Sequence, residues 1–231
     1  MLDLTSYSAS DFIPFTQEVY LRLLERVNES YWPLHILALV TALIVLLAAW
    51  RRHRYTLKLL ALIWLGVGVG FLFRFYEELN WAGRWFGVAY IAQAFLLLLV
   101  GLRADRVIHP LQRDSGLLLA FVGLLWPVLF PLGRIHWTQL ESIGIHADPS
   151  VVFSLGILLL LCTGWRPWLL YVIPLLWCGL SIATLQVLGL PQHWVLAGTF
   201  TLASLTLITT TLWESRITKA AARRVASSTE K

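Results

Sequence analysis

The sequence predicts an all-α, polytopic membrane protein: a bundle of seven transmembrane helices preceded by an N-terminal amphipathic helix at the membrane interface. Three observations lead to this fold. Seven apolar stretches of roughly bilayer-spanning length alternate with short loops. Hydrophobic residues make up 58% of the chain and charged residues only 13%, against about 25% in soluble proteins. Lys and Arg residues gather on every second loop, as they do in multi-pass membrane proteins.

The chain before the first apolar stretch predicts an amphipathic helix over residues 11–30. Apolar side chains recur there at three- and four-residue spacing, with charged side chains on the opposite side. The apolar side consists of Phe12, Phe15, Val19, Leu23 and Val27, and the charged side of Glu18, Arg22, Glu25 and Arg26. This helix either lies on the membrane surface or packs over the mouth of the bundle. No positive stretch leads into an apolar core here, so we expect no cleavable signal peptide.

The predicted organisation has three parts: an outer segment over residues 1–30, the transmembrane domain over 31–213 and a basic, disordered cytoplasmic tail over 214–231. The seven predicted spans cover residues 34–50, 57–75, 85–102, 116–133, 151–165, 168–187 and 194–213. The fifth is the shortest, and we expect Asp148 to cap it and Pro149 to begin it. If the fifth span were re-entrant, every later loop would change sides. The four-residue spacing of Gly66 and Gly70 in the second span permits close helix packing.

The distribution of charge predicts the orientation. Of the 18 Lys and Arg residues, 13 lie on one set of alternate loops and the tail, whereas nine of the 13 acidic residues lie on the other side. The positive-inside rule then places the N-terminus outside and the C-terminus in the cytoplasm. The net charge of +5 fits contact with anionic lipid headgroups, so the lipid bilayer is the predicted partner and nucleic acid is not. Association into homo- or hetero-oligomers stays open.

The sequence lacks the motifs of common catalytic and cofactor sites. It contains no Gly-x-x-x-x-Gly-Lys phosphate loop, no His-Glu-x-x-His zinc motif, no Cys-x-x-Cys pair and no Gly-x-Ser-x-Gly nucleophile motif. The seventh span has no lysine that could form a retinal Schiff base. We therefore predict no cofactor and no catalytic residue, and an enzymatic activity is the less favoured interpretation.

Polar residues gather at the predicted outer ends of the spans. We expect six of them to line an outward-facing cavity that binds or transports a small solute: Asn28, Glu29, His35, Arg74, Glu77 and Gln93. In this hypothesis Arg74 contacts an anionic group, and His35 and Gln93, which lie within the apolar depth, need polar partners. In the alternative, Arg74 pairs with Glu77 or Glu78 at helical spacing and the cluster has no ligand.

Two further functions stay open at the level of the sequence. His136, His146, His193 and Asp148 could together bind zinc and activate a water molecule for hydrolysis, although their spacing matches no compact ligand motif. The chain could instead be an accessory or scaffold subunit whose aromatic-rich helices dock on a partner. Metal content separates the first of these from solute binding, and gentle co-purification from native membranes tests the second.

The residues that open the first span carry a resemblance to a known family. Val27-Asn28-Glu29-Ser30-Tyr31-Trp32-Pro33 resembles the Asn-Glu-x-x-Trp-Pro element of an uncharacterised bacterial multi-pass family, domain of unknown function 6064. Residues 14–16, 75–80, 85–87 with Gln93, and 149–156 are similar to it as well. The similarity extends from residue 14 to about residue 213. It implies a bacterial inner-membrane protein with several helices, some of whose relatives bear permease-like labels, and it implies no activity.

Overall fold

Long apolar runs fold into helices throughout the described part of the chain. The structure, a computed structural model, describes residues 13–100, 108–130, 136–162 and 168–229. Within these ranges the helices are α1 (Gln17–Tyr31), α2 (Leu34–Trp50), α3 (Thr56–Leu79), α4 (Gly83–Leu99), α5 (Pro110–Leu124), α6 (Trp126–Leu129), α7 (Ala147–Leu161), α8 (Leu169–Val187) and α9 (Gln192–Thr229). A 3₁₀ turn, Trp137–Gln139, lies between α6 and α7. Five cationic residues used in the orientation argument lie outside the described residues, as do residues 1–12: Arg103, Arg106, Arg134, Arg166 and Lys231.

Helix α7 forms the centre of the bundle. All 15 of its residues are buried, and it contacts α2, α3, α5, α8 and α9. A helix that is apolar on every side needs apolar surroundings on every side, and here neighbouring helices provide them. At about 1.5 Å per residue, α7 is roughly 22 Å long, shorter than the ~30 Å hydrocarbon core of a bilayer. The fifth predicted span is therefore a core helix enclosed by protein.

Helices α5 and α7 pack with their backbones in direct contact. A Cβ atom on Gly156 of α7 would lie 2.4 Å from the backbone nitrogen of Ala120. One on Gly123 of α5 would lie 2.6 Å from the backbone nitrogen of Phe153. Both distances are far below van der Waals contact, so the two helices approach each other only because glycine has no side chain. The spacing of Gly66 and Gly70 makes no such backbone contact, since a Cβ on Gly66 would meet a loop carbonyl at 3.9 Å and one on Gly70 the hydroxyl of Tyr31 at 3.1 Å.

Within the described part of the chain, three helices are long and apolar enough to cross a membrane: α3, α8 and the Gln192–Arg216 part of α9. Helices α1 and α2 add a fourth candidate if they form one span bent by 89°. Helices α4 and α7 are apolar but shorter. The fourth predicted span is interrupted, because α5 ends at Leu124 and the four-residue α6 carries Pro127. Each predicted span overlaps a helix, but the described residues contain three or four candidate spans and not seven.

Large apolar side chains cover the outside of the bundle. Leu37 on α2, Phe95 on α4 and Leu176 on α8 are each at least 60% exposed, and similar residues extend along α3 and α9. An apolar surface this extensive is unfavourable in water and favourable in hydrocarbon. Together with the candidate spans, it indicates that these helices contact a lipid bilayer.

Helix α1 packs over the bundle, which is one of the two positions expected for the amphipathic helix. Its first turn is capped by Thr16, whose hydroxyl accepts a hydrogen bond from the backbone nitrogen of Val19 at 3.4 Å. The helix contacts the 3₁₀ turn and the second half of α3. Its buried side consists of Tyr20, Leu23, Leu24 and Val27.

The second half of α3, Gly68–Tyr76, is a π-helix. Such wide turns are rare, and surrounding contacts hold this one in place. The hydroxyl of Tyr31 donates a hydrogen bond to the carbonyl of Gly70 at 2.8 Å. From this segment, Phe71 and Tyr76 are buried in the bundle. The π-helix therefore supplies aromatic side chains to the part of the interior described below.

Helix α9 continues beyond the predicted end of the last span. It extends to Thr229 as one 38-residue helix. The prediction of a disordered tail from residue 214 is therefore wrong. The polar composition suggested disorder, but Ala, Arg and Lys are among the best helix formers, and residues 219–225 are rich in them.

Candidate functional site

A large cavity lies where α1 meets α2. The two helices are joined by Trp32 and Pro33 and bent by 89° relative to each other, and the loop between α6 and α7 faces this elbow. The cavity has a volume of about 810 Å³. Its lining consists of Asn28, Glu29, Trp32, His35, Leu39, Leu124, Pro127, Thr138, Leu140, Ser142 and Ile143. The junction of α1 and α2, the end of α5 with α6, and the loop before α7 together form this space.

The side chain of Asn28 holds the wall of this cavity together. Its amide nitrogen donates hydrogen bonds to the backbone carbonyls of Thr138 and Leu140, at 2.7 and 3.0 Å. Its amide oxygen lies 2.8 Å from Nε2 of His35. Because an amide oxygen only accepts, His35 donates from Nε2, and its Nδ1 is left as an acceptor. That Nδ1 is buried and has no hydrogen-bond partner among the described residues.

Three of the six predicted ligand-binding residues, Asn28, Glu29 and His35, meet in this cavity, and the other three lie elsewhere. Arg74 is exposed, with its guanidinium over the rings of Tyr31 and Phe75 at 5.8 and 5.5 Å. Glu77 is half-buried and follows the π-helix. Gln93 is buried and donates a hydrogen bond to the carbonyl of Leu170 at 2.8 Å. Arg74 makes no ion pair with Glu78, whose carboxylate pairs with Arg26.

A second polar centre consists of two buried carboxylates, Glu141 and Asp148. Glu141 accepts hydrogen bonds from the hydroxyl of Tyr20 at 2.9 Å and from the indole of Trp126 at 3.1 Å. Asp148 accepts hydrogen bonds from the indole of Trp177 at 2.7 Å and from the hydroxyl of Ser181 at 2.8 Å. Each of the four carboxylate oxygens thus has one neutral donor.

The predicted roles of Asp148 and Pro149 as cap and first residue of the helix are wrong. The cap position is occupied by His146, and α7 begins at Ala147. The Asp148 side chain points away from its own helix and bonds to two residues of α8. The sequence offered one sign of these buried carboxylates, the tryptophans Trp126 and Trp177. A buried indole N–H needs an acceptor, and a carboxylate can be that acceptor.

The two carboxylates share a small cavity. Its volume is about 10 Å³, which is roughly the space that one water molecule needs. The polar residues that line it are Tyr20, Tyr76, Glu141, Asp148, Ser181 and Thr184. The loop segment 140–142 separates this small cavity from the large one, because Leu140 and Ser142 line the large cavity and Glu141 lines the small one.

Comparison with known proteins gives one match. The model of a family of unknown function, DUF6064, matches residues 17–219. The chain belongs to this family. The matched region begins at the first residue of α1 and ends within α9, so both cavities of this DUF6064 protein lie inside it. The resemblance noted in the sequence is thereby confirmed. No curated protein and no solved structure matches the chain.

The four candidate zinc ligands of the DUF6064 protein do not form a metal centre. Within the described ranges, no three His, Cys, Asp or Glu side chains come together in a way that could hold a metal ion. His146 accepts a hydrogen bond at Nδ1 from the backbone nitrogen of Ser142, at 3.1 Å. His193 donates from Nδ1 to the carbonyl of Leu190, at 2.6 Å. His136 bonds to Thr138, and Asp148 bonds to α8. In this geometry the four residues do not provide the set of zinc ligands that the hydrolase hypothesis requires.

Two buried groups in the loop before α7 have shifted pKa values. Burial raises the pKa of Glu141 above its usual 4.5, and the nearby Asp148 raises it further, while the hydrogen bonds from Tyr20 and Trp126 oppose the shift. Burial lowers the pKa of His146 from 6.5 to about 3. The neighbouring His35 adds to that decrease.

These shifts predict a stability maximum in mildly acidic solution. Folded Glu141 keeps its proton where the unfolded chain loses it, so stability decreases as the pH rises from 4.5 through the raised pKa. Folded His146 stays neutral where the unfolded chain is protonated, so stability decreases as the pH falls from 6.5 to about 3. The midpoint of thermal unfolding in detergent, followed across this range, should show both losses.

The loss of folding stability with rising pH should be smaller in Glu141→Gln, because the glutamine side chain cannot ionise. Asp114→Asn is the matched control, because the Asp114 side chain is 65% exposed and pairs with its neighbour Arg113. The control should reproduce the wild-type pH profile. A Glu141→Gln variant that loses stability between neutral and alkaline pH as steeply as the wild type would contradict the assignment.

Proposed function

We propose that this DUF6064 protein binds a small amphipathic solute in the large cavity, from the outer side of a bacterial inner membrane, as a step in its transport. The proposal rests on one observation: Asn28, Glu29 and His35 all line one cavity of about 810 Å³. Ligand sites in proteins commonly occupy about 300–1,000 Å³ and combine an apolar lining with a few polar groups. This cavity has both properties.

The lining supports a solute with a positively charged or hydrogen-bond-donating end. Among the described residues that line the cavity there is one charged side chain, the carboxylate of Glu29. The unpartnered Nδ1 of His35 is an acceptor, and the aromatic ring of Trp32 lies 6.2 Å from the imidazole. Carboxylates, imidazole acceptors and aromatic faces all favour an amine.

The rest of the lining supports an apolar body on the same solute. Leu39, Leu124, Pro127 and Ile143 form this part of the wall. Apolar surface that leaves water on binding contributes about 25 cal/mol per Å². A primary amine attached to an aromatic or aliphatic group therefore fits the cavity better than a sugar or an inorganic anion.

The charge pattern supports the outward position of the cavity. Helix α2 begins at the elbow and ends next to Arg51, Arg52 and Arg54. The positive-inside rule assigns that basic end to the cytoplasm, so the elbow and its cavity belong to the opposite side.

Binding of tryptamine to the protein in lipid nanodiscs tests the proposal, with its neutral analogue tryptophol as the comparison ligand. Loss of a hydrogen bond to a charged group weakens binding by about 10- to 100-fold, so Glu29→Gln and His35→Ala should each show such a loss. Glu18→Gln, an exposed acid on the same helix outside the cavity, is the matched control and should bind as the wild type does.

Equal binding of tryptamine and tryptophol would contradict the amine preference. Failure of a panel of aromatic and aliphatic amines to bind the folded protein would contradict the proposal itself. Uptake into proteoliposomes then separates transport from binding alone. The accessory-subunit hypothesis stays a prediction, to be checked by co-purification.

A further inference from the structure

We propose that the large cavity opens sideways to the outer leaflet of the bilayer and takes up a single-chain cationic amphiphile, a long-chain primary amine, from the lipid. This inference rests on the function proposed above, because it names the class of the solute and its route into the same cavity. Three features support it: the polarity of the wall at different depths, the surface on either side of the cavity, and the charge at its polar end.

The polarity of the cavity wall changes with depth in the membrane. Its polar residues lie at the elbow, where Asn28 and Glu29 belong to the last turn of α1 and His35 to the first turn of α2. Trp32, at the same level, is 67% exposed, as expected for an indole among lipid headgroups. Leu39 lies one turn further along α2, towards the membrane centre. The wall is therefore polar at the headgroups and apolar below them, as is a lipid of the outer leaflet.

The apolar end of the cavity continues into exposed apolar surface. On α2, Leu43 follows Leu39 by four residues, so both lie on one side of the helix, and Leu43 is 41% exposed. On the wall formed by α5 and α6, Val128 lies next to Pro127 and is 71% exposed. Helix α2 packs mainly against α3 and α7 and less against α5. These walls leave a route between α2 and α6 along which an apolar chain stays out of water.

The charge at the polar end selects the headgroup of the amphiphile. Glu29 is the one charged side chain among the described residues that line the cavity. Its carboxylate attracts an ammonium group, whereas the phosphate of a phospholipid would lie beside it with no cationic partner in the described lining. The carboxylate of a fatty acid is unfavourable there for the same reason. A single-chain amine therefore fits better than either.

The length of the alkyl chain distinguishes an open cavity from a closed one. His35 and Leu43 are roughly 12 Å apart along α2, at about 1.5 Å per residue. Each methylene group that leaves water strengthens binding about four-fold. If the cavity opens to lipid, this gain continues with every added methylene. If it opens only to water, the gain ends when the cavity is full.

Displacement of radiolabelled decylamine from the protein in phosphatidylcholine nanodiscs tests the route. Butylamine, hexylamine, octylamine and unlabelled decylamine are the competitors, decanol is the neutral comparison, and protein-free nanodiscs give the background. Potency, expressed as the free aqueous concentration, should increase about four-fold per methylene up to decylamine. Decanol should not displace the label. A potency that levels off or decreases beyond hexylamine would mean that the cavity is closed to the bilayer.

A bulky side chain on the route should affect the long amine only. Leu43→Trp should weaken decylamine about ten-fold and leave hexylamine, whose chain ends before this position, within about two-fold of the wild type. Leu37→Trp is the matched control, because Leu37 is 62% exposed and lies on the side of α2 opposite to Leu39. Equal effects of the two tryptophan variants on decylamine would contradict the route, and the chain-length series in the wild type decides the question if Leu43→Trp does not fold.

The remaining outcomes separate this inference from the proposed function. Binding of tryptamine without binding of decylamine, or without dependence on chain length, would overturn the lateral route and leave the proposed function in place. Failure of every amine to bind would overturn both. Loss of decylamine binding in phosphatidylethanolamine nanodiscs, with binding in phosphatidylcholine nanodiscs, would assign the cavity to a two-chain phospholipid and overturn the single-chain occupant.

Discussion

Gly156→Ala is expected to lower the free energy of unfolding by about 3 kcal/mol, one of the two largest effects predicted for a single substitution in this chain. The new methyl group would lie 2.4 Å from the backbone nitrogen of Ala120 and 2.9 Å from its Cα. Backbone atoms cannot rotate away as a side-chain end can, so helices α5 and α7 would have to separate. Because α7 is enclosed by five helices, that separation also disturbs its contacts with the others.

Gly179→Ala is the matched control for this prediction. Gly179 lies inside α8, and a Cβ atom there would have no neighbour within 4 Å. The same chemical change should therefore leave stability unchanged or raise it slightly, since alanine favours the helix over glycine. Denaturant titrations of both variants in the same detergent, followed by circular dichroism, give the comparison. Equal effects in Gly156→Ala and Gly179→Ala would show that the α5–α7 contact is looser than described.

Asn28→Asp is expected to release the loop between α6 and α7 from the helical elbow. The amide nitrogen of Asn28 donates to two carbonyls, those of Thr138 and Leu140. A carboxylate cannot donate, and it would place negative charge against both carbonyl oxygens. The cost is about 2 kcal/mol, which corresponds to roughly 30-fold faster amide exchange in the loop. Hydrogen–deuterium exchange over residues 136–146 measures this directly.

Asn80→Asp provides the same substitution at a site where it should be tolerated. The side-chain oxygen of Asn80 accepts a hydrogen bond from the backbone nitrogen of Ala82 at 2.9 Å, and aspartate accepts equally well. Exchange in the loop should stay as in the wild type. If the wild-type and Asn28→Asp loops exchanged at the same rate, Asn28 would not be the residue that holds the wall of the large cavity. Binding of the solute should weaken together with loop protection.

The positions of the helices could be predicted from the sequence, but their surroundings could not. Apolar runs long enough for a helix are visible in the chain, and each predicted span overlaps a helix, although the fourth is divided between α5 and α6. Lipid and protein interior are both apolar solvents, however, so α7 has the same composition whether lipid or five helices surround it. The close contact at Gly156 was missed for the same reason. A glycine shows its role only when the facing residue, here Ala120, is known.

The large cavity was partly visible in the sequence and the small cavity was not. Asn28 and His35 are polar residues at the start of an apolar run, where a polar side chain needs a polar partner. Both line the large cavity. Glu141 and Asp148 bond to Trp126 and Trp177, which lie 15 and 29 residues away on other helices. No local pattern connects residues at such separations. Arg74 and Gln93 were assigned to the cavity only from their expected depth in the membrane. Depth does not specify which side of a helix faces the cavity.

The enclosure of α7 has a consequence for biogenesis. Its neighbours α2, α3 and α5 leave the ribosome before it, and α8 and α9 leave after it. Until the last of these has entered the bilayer, the nascent chain holds a helix shorter than the membrane is thick, with the acidic Asp148 near its start. Chain assembly is therefore completed only with the final helix, and a nascent chain cut short before α9 displays to membrane proteases a segment that the finished protein hides.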